Sequence, residues 1–169
     1  MRIFLGIDLP DEVKEYIHSL KLPNIHGTYV EKHNLHITLH FFGEMNQKDT
    51  HDIISKLKTI EFSKFETELT EIGTFPSWDY IEVIWIGVKD KYIKELKIRI
   101  DSVLGVKNTK FHAHITLGRV KFIPDKSQFN KKVKDIKIEN MKFVINAYQL
   151  KKSELTSKGP IYENIAVFN

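Results

Sequence analysis

The sequence predicts a mixed α and β fold made of two pseudo-symmetric lobes, the product of an internal duplication. Two observations predict it. Short apolar runs alternate with amphipathic stretches along the whole chain. In addition, two segments recur in register. Ile3-Phe4-Leu5-Gly6-Ile7 returns 81 positions later as Ile84-Trp85-Ile86-Gly87-Val88, and His36-Ile37-Thr38-Leu39 returns 78 positions later as His114-Ile115-Thr116-Leu117. A single repeated tetrapeptide in a chain of 169 residues is weak evidence. Two matches at nearly one offset, each with a helical stretch between its strands, point to a repeated strand–helix–strand unit.

Each element has a local reason. Residues 2–8 read as a buried strand. Residues 10–21 read as a helix, with Pro10 at its first turn and Val13, Ile17 and Leu20 on one face. Residues 34–42 read as a strand and 47–60 as a helix with Ile53, Ile54, Leu57 and Ile60 inward. Residues 65–74 form a strand, and Phe75-Pro76-Ser77-Trp78-Asp79 a turn. A strand over 80–88, a helix over 90–104 and a strand over 112–121 make the second unit. Residues 126–137 read as a helix, and 139–151 and 160–168 as closing strands. No linker divides the chain, so residues 1–169 are expected to form one domain.

Composition narrows the chemistry. There is no cysteine, which removes disulfide scaffolds, thiol nucleophiles and thiolate metal sites. Lys and Arg number 26 against 22 Asp and Glu, a net charge of +4 that permits a polyanionic partner without requiring one. Only three of the cations are arginine: Arg2, Arg99 and Arg119. No apolar run reaches membrane-spanning length, and the opening apolar stretch is too short for a signal peptide. The expectation is a cytoplasmic protein.

The repeated tetrapeptide carries the chemistry. Side chains at i and i+2 of a strand share a face, so His36 and Thr38 project together while Ile37 and Leu39 pin the register from the other side. His114 and Thr116 do the same against Ile115 and Leu117. Imidazole gives and takes protons near neutral pH, so two of them on opposite sides of a phosphorus centre can activate an attacking oxygen and protonate a leaving one. Threonine hydroxyls can donate to the non-bridging oxygens. Arg119 follows the second motif, and its planar fork suits phosphate. Strict alternation puts Arg119 on the face away from His114, so it reaches the cleft only if the strand bends near Gly118.

These paired motifs resemble the 2H phosphoesterase superfamily, and more narrowly the RNA 2′,3′-cyclic phosphodiesterases, also called the bacterial and archaeal 2′-5′ RNA ligase family. The resemblance covers nearly the whole chain. It takes in Arg2 to Pro10, Leu35 to Glu44, Trp85 to Val88, Phe111 to Arg119, and the Ser153-Glu154-Leu155 and Gly159 to Tyr162 segments of a C-terminal hairpin. It implies an α+β fold whose antiparallel sheets line a central cleft, with helices outside. It implies opening of a 2′,3′-cyclic phosphate at an RNA end to a 2′-phosphate, with no metal or other cofactor, and a reversible ATP-independent 2′-5′ joining activity. By the family pattern His36 protonates the leaving 3′-oxygen and His114 activates water. The implied substrates are RNA ends, transfer-RNA fragments among them, or cyclic nucleotides, taken up by a monomer. Three positions depart from the pattern: Ala113 stands for a common Pro, Tyr29 for a common Trp, and Glu82 for a common Arg.

Other readings remain open at this point. A non-catalytic RNA-end or nucleotide-binding module could share the fold, though it would be expected to have lost one of the four motif residues. His36, His112 and His114 could make a zinc site. His40 and His112 share the motif face by period-2 counting. Tyr29, Phe75, Trp78 and Tyr148 are the candidates for stacking on a base, whereas Phe4, Phe41 and Trp85 sit in apolar runs and read as core. Lys131-Lys132-Val133-Lys134 and Lys151-Lys152 read as solvated basic faces or RNA contacts.

Overall fold

A computed structural model describes residues 1–107 and 110–169. The elements in order are β1 (Arg2–Asp8), α1 (Asp11–Ser19), β2 (His26–Tyr29), a 3-10 turn (Lys32–Asn34), β3 (His36–Glu44), α2 (Gln47–Leu57), β4 (Phe65–Pro76), β5 (Ile81–Val88), α3 (Lys91–Leu104), β6 (His114–Phe122), α4 (Lys126–Lys134), β7 (Lys142–Ile145), β8 (Tyr148–Thr156) and β9 (Gly159–Phe168). Local chemistry sets several boundaries. Asn46 and Asp125 cap α2 and α4 by accepting from Asp49 N and Gln128 N at 2.8 and 2.9 Å. Gly105 ends α3 in the left-handed conformation at φ 68°, which only glycine adopts without cost.

The strands form a sheet in the order β7-β4-β5-β6-β3-β1-β8-β9, with β2 paired to β6, and every pairing is antiparallel. The two lobes meet where β3 and β6 pair at Ile37–Ile115. Each lobe is completed from the other half of the sequence. After α2 the chain enters β4, which pairs β5; after α4 it reaches β8, which pairs β1. The halves of the sequence are therefore not the halves of the fold.

One face of the sheet carries Ile3, Leu5, Ile7, Ile37, Ile84, Ile86 and Ile115, all at 0% exposure. The helices cover that face with Val13 and Ile17 of α1, Ile53 and Leu57 of α2, Ile93, Leu96 and Ile100 of α3, and Phe129 and Val133 of α4, in one continuous core. The opposite, concave face is left for the motif side chains.

Three details differ from the expectation. Residues 26–29 pair as a strand, which period-2 reading misses because His26-Gly27-Thr28-Tyr29 has no apolar alternation and its order comes from β6. Residues 139–151 are broken between Ile145 and Tyr148, since β7 pairs β4 in one lobe while β8 pairs β1 in the other. Strand pairing also slips the repeat by two residues. Thr38 pairs with Gly6 and Thr116 with Trp85, so Gly6 corresponds to Trp85 rather than to Gly87. The slip preserves strand parity, which is why both alignments look equally good in sequence.

Gly73 of β4 makes room for Trp85. A Cβ there would lie 2.1 to 2.7 Å from three atoms of the indole. Gly73→Ala is expected to lose roughly 1–3 kcal/mol by overpacking, read as a lower midpoint in denaturant or heat. A wild-type midpoint would show that the indole moves freely.

Candidate active site

The concave face carries the motif residues in pseudo-symmetric array. Carried one step to either side of Ile37–Ile115, the antiparallel register sets His36 across from Thr116 and Thr38 across from His114. A cleft of about 670 Å³ opens over Thr38, Phe41, Phe75, Phe111, His112 and His114. His36 stands outside that wall, reached through Thr38: its Nε2 is 3.0 Å from Thr38 Oγ1.

Both histidines are tethered in the same way. His36 Nδ1 is 2.7 Å from the carbonyl of Asn34, and His114 Nδ1 is 2.7 Å from the carbonyl of His112. A carbonyl can only accept, so Nδ1 carries the proton in each ring, and Nε2 is the nitrogen left to exchange protons. Each ring is also held by aromatic neighbours. His36 lies 5.0 Å from Phe4 and 5.3 Å, edge-on, from Tyr162. His114 lies 5.0 Å, edge-on, from Phe75 and 6.2 Å from Trp85.

Their electrostatic settings differ. Burial is the largest influence on both and holds each imidazole below the ordinary range. Around His36 the charges are mixed: Lys151 and Lys14 disfavour its cation, and the Asp8 carboxylate favours it. Around His114 the side-chain charges that act, those of His112 and Arg119, both disfavour the cation. Asp8 is itself fixed by Lys151, whose Nζ is 2.7 Å from Asp8 Oδ1 and 2.6 Å from Asn164 Oδ1. Lys151 is 6% exposed, so it is neither a solvated cation nor an RNA contact, as its place in a basic cluster suggested.

A protein that buries neutral imidazoles loses stability in acid. His36, His114 and His40 all have native values below 6.5, with burial the first cause. Their contribution is full above the unfolded value and is lost as pH falls through the lowered native values. The melting temperature is expected to fall between pH 7 and pH 5, and to fall less in the double variant His36→Asn/His114→Asn. Equal slopes in the two proteins would contradict this.

Arg119 does reach the concave face, and a β-bulge brings it there. On β6, Gly118 pairs with Ile84 and Thr116 with Trp85, so Leu117 is an extra residue. A bulge resets the alternation. Leu117 and Gly118 are consecutively buried, and Arg119 emerges exposed on the side of His114 and Thr116. Its charge acts on both His114 and Tyr162, which ties it to the two lobes at once. The same bulge occurs at Leu39 of β3, between the pairs Thr38–Gly6 and His40–Leu5. It turns His40 toward the helices, where the charges of Lys97 and Asp101 act on it, and Phe41 onto the concave face opposite Phe4. His40 still lines the cleft beside Thr38, but from the side of Leu5 rather than on the face of His36 that period-2 counting gives it. Phe41 is not core: it is 54% exposed, with the Arg2 guanidinium 5.5 Å over its ring. Phe41 and Arg119 are thus equivalent positions, three residues beyond their threonines. That equivalence is legible in the aligned motifs once a bulge after the threonine is considered.

The other sequence candidates scatter. Phe75 lines the cleft. Tyr148 is fully buried and Tyr29 half-buried against the core beside Gly118, with burial raising both phenols to about 12. Trp78 packs away from the cleft under Lys134 of α4, 4.9 Å from its ring. His112 lies 6.1 Å from His114, but among the described residues no three of His, Asp or Glu gather as a metal-binding set. His36, His112 and His114 therefore do not form the zinc site that their spacing allowed.

Two successive stretches of the chain, residues 7–85 and 86–162, match the family model described as LigT like Phosphoesterase. The chain belongs to that family. The duplication seen in the fold is thus the family's own repeat. The phosphoesterase is 39% identical to an RNA 2′,3′-cyclic phosphodiesterase of Methanocaldococcus jannaschii over 98% of both chains. It is 35% identical to a protein of the same name from Archaeoglobus fulgidus over 99% of both. Its fold matches the apo crystal structure of Escherichia coli LigT with a TM-score of 0.79, covering 99% of this chain and 95% of that one at 24% identity.

Proposed function

We propose that His36 and His114 of this cyclic phosphodiesterase open the 2′,3′-cyclic phosphate at an RNA end to a 2′-phosphate by paired acid–base catalysis. The activity class follows from family membership and from near-full-length relatives named for it. The division of labour, His36 as acid and His114 as base, follows the family pattern. What the site itself supports is the pairing, carried by one observation: each ring is tethered through Nδ1 to a backbone carbonyl at 2.7 Å, which leaves Nε2 to exchange a proton.

On that reading His114 stays neutral and its Nε2 takes a proton from water as the water oxygen attacks phosphorus. The P–O3′ bond breaks, and His36, cationic at that moment, gives its Nε2 proton to O3′. The product keeps its phosphate on O2′, and each histidine ends in the other's starting state, to be reset by solvent. Thr38 and Thr116 donate to the non-bridging oxygens, and Arg119 places its guanidinium where their charge develops. Phe41 offers its exposed face to the terminal base. The same ring opening with a 5′-hydroxyl in place of water forms a P–O5′ bond as P–O3′ breaks and O3′ takes the proton from His36, giving a 2′-5′ linkage. Attack of that 3′-hydroxyl on the linkage reverses the joining. Substrates in this proposal are RNA ends such as transfer-RNA fragments and small cyclic nucleotides, handled by a monomer in the cytoplasm. No helix among the described residues is long and apolar enough to cross a membrane.

The test is incubation with an RNA ending in a 2′,3′-cyclic phosphate, after exhaustive treatment with EDTA. The expected product is the 2′-phosphate at an undiminished rate. A 3′-phosphate would reverse the assignment of the broken bond, and loss of activity that zinc restores would end the two-histidine mechanism.

A further inference from the structure

The concave face does not end at Arg119. Thr28 of β2 pairs with Arg119 and shares its side of the sheet. Gly27 pairs with Val120, which turns inward against the core. A further bulge follows: His26 pairs with Phe122, leaving Lys121 as the extra residue. Without it Phe122 would take the helix side. With it, His26 and Phe122 both stand on the concave face, roughly 10 Å along the strand from Arg119. Their rings are 5.8 Å apart at 49°, and Phe122 is 60% exposed. Packing does not explain this ring, which lies outside the core.

The two ends of the cleft differ in how free their rings are. Beyond Phe41 stands Glu44, its carboxylate taken up by the N-terminal ammonium at 3.1 Å, and the Arg2 guanidinium already covers one face of Phe41. Beyond Arg119 stands exposed Lys121, a cation beside the two rings. We propose that His26 and Phe122 form a stacking platform for the base of the second nucleotide of the RNA strand, the one on the 5′ side of the cyclic-phosphate end. This rests on the reading of the site given above. Aromatic platforms beside cations hold single-stranded RNA with little regard for base identity, so the platform selects RNA ends over mononucleotides.

The experiment compares a 2′,3′-cyclic mononucleotide with an oligonucleotide ending in the same nucleotide. Phe122→Ala is expected to lower kcat/KM for the oligonucleotide about five- to tenfold, through KM, at the low end of base–aromatic stacking. It leaves the mononucleotide unchanged, and Phe122→Tyr keeps both. An unchanged oligonucleotide, or an equal fall for both substrates, overturns the platform. Anisotropy with the 2′-phosphate-ended oligonucleotide and its mononucleotide is measured in parallel and decides the same question by affinity. If wild type turns over neither substrate, the catalytic reading fails, while the affinity difference still judges the platform.

Discussion

Replacing His36 or His114 with alanine lowers kcat by about 100- to 10,000-fold, the range over which a positioned acid or base contributes. Each ring holds its Nδ1 proton on a backbone carbonyl at 2.7 Å, so the proton-exchanging atom that each variant loses is Nε2. The double variant is expected to be little worse than either single one, because an acid and a base that act on one bond change fail as a unit. Single-turnover rates on a cyclic-phosphate RNA check this, with far-ultraviolet circular dichroism confirming that both variants fold. His36 packs on Phe4 and Tyr162, so His36→Asn is the companion variant that preserves a polar group in that space. A wild-type rate in any of them would sink the mechanism.

Arg119→Ala lowers kcat/KM roughly 30- to 1,000-fold, the scale of removing a charged donor from a developing oxyanion. Arg119→Lys recovers part of the loss, since an ammonium restores charge without the planar fork. The motivation is positional. Arg119 is one of only three arginines in the chain, and the Leu117 bulge delivers its guanidinium to the side of His114. Steady-state kinetics of the two variants on one oligonucleotide test it. Equal, small effects in both would mean that Arg119 contributes only diffuse attraction.

The shared face of each His–Thr pair was legible from sequence because a strand with a period of two offers few alternatives. Two aliphatics buried at Ile37 and Leu39 leave His36 and Thr38 no face but the other, and the same holds at His114 and Thr116. What parity misassigned lies beyond the threonines. One inserted residue, Leu39, exchanges the faces of His40 and Phe41, and Leu117 does the same for Arg119. A bulge has no composition of its own, since it is decided by which cross-strand partner is available, and those partners lie in β1 and β5.

Charges divide in the same way. That Lys151 is basic and stands in a lysine pair is visible in the sequence; that it is buried against Asp8 behind His36 is not. Its contacts run from β8 to β1, which only the exchange of strands between the lobes brings side by side.

The sequence by itself thus determined the duplication, the two His–Thr pairs and the shared face within each pair, because these depend on backbone geometry over two or three residues. The tertiary structure alone decided which lobe each closing strand completes, which residues the bulges turn into the cleft, and which charge faces which histidine. Those outcomes depend on pairings between segments far apart in the chain, where local periodicity carries no information and the packing of the common core selects the register.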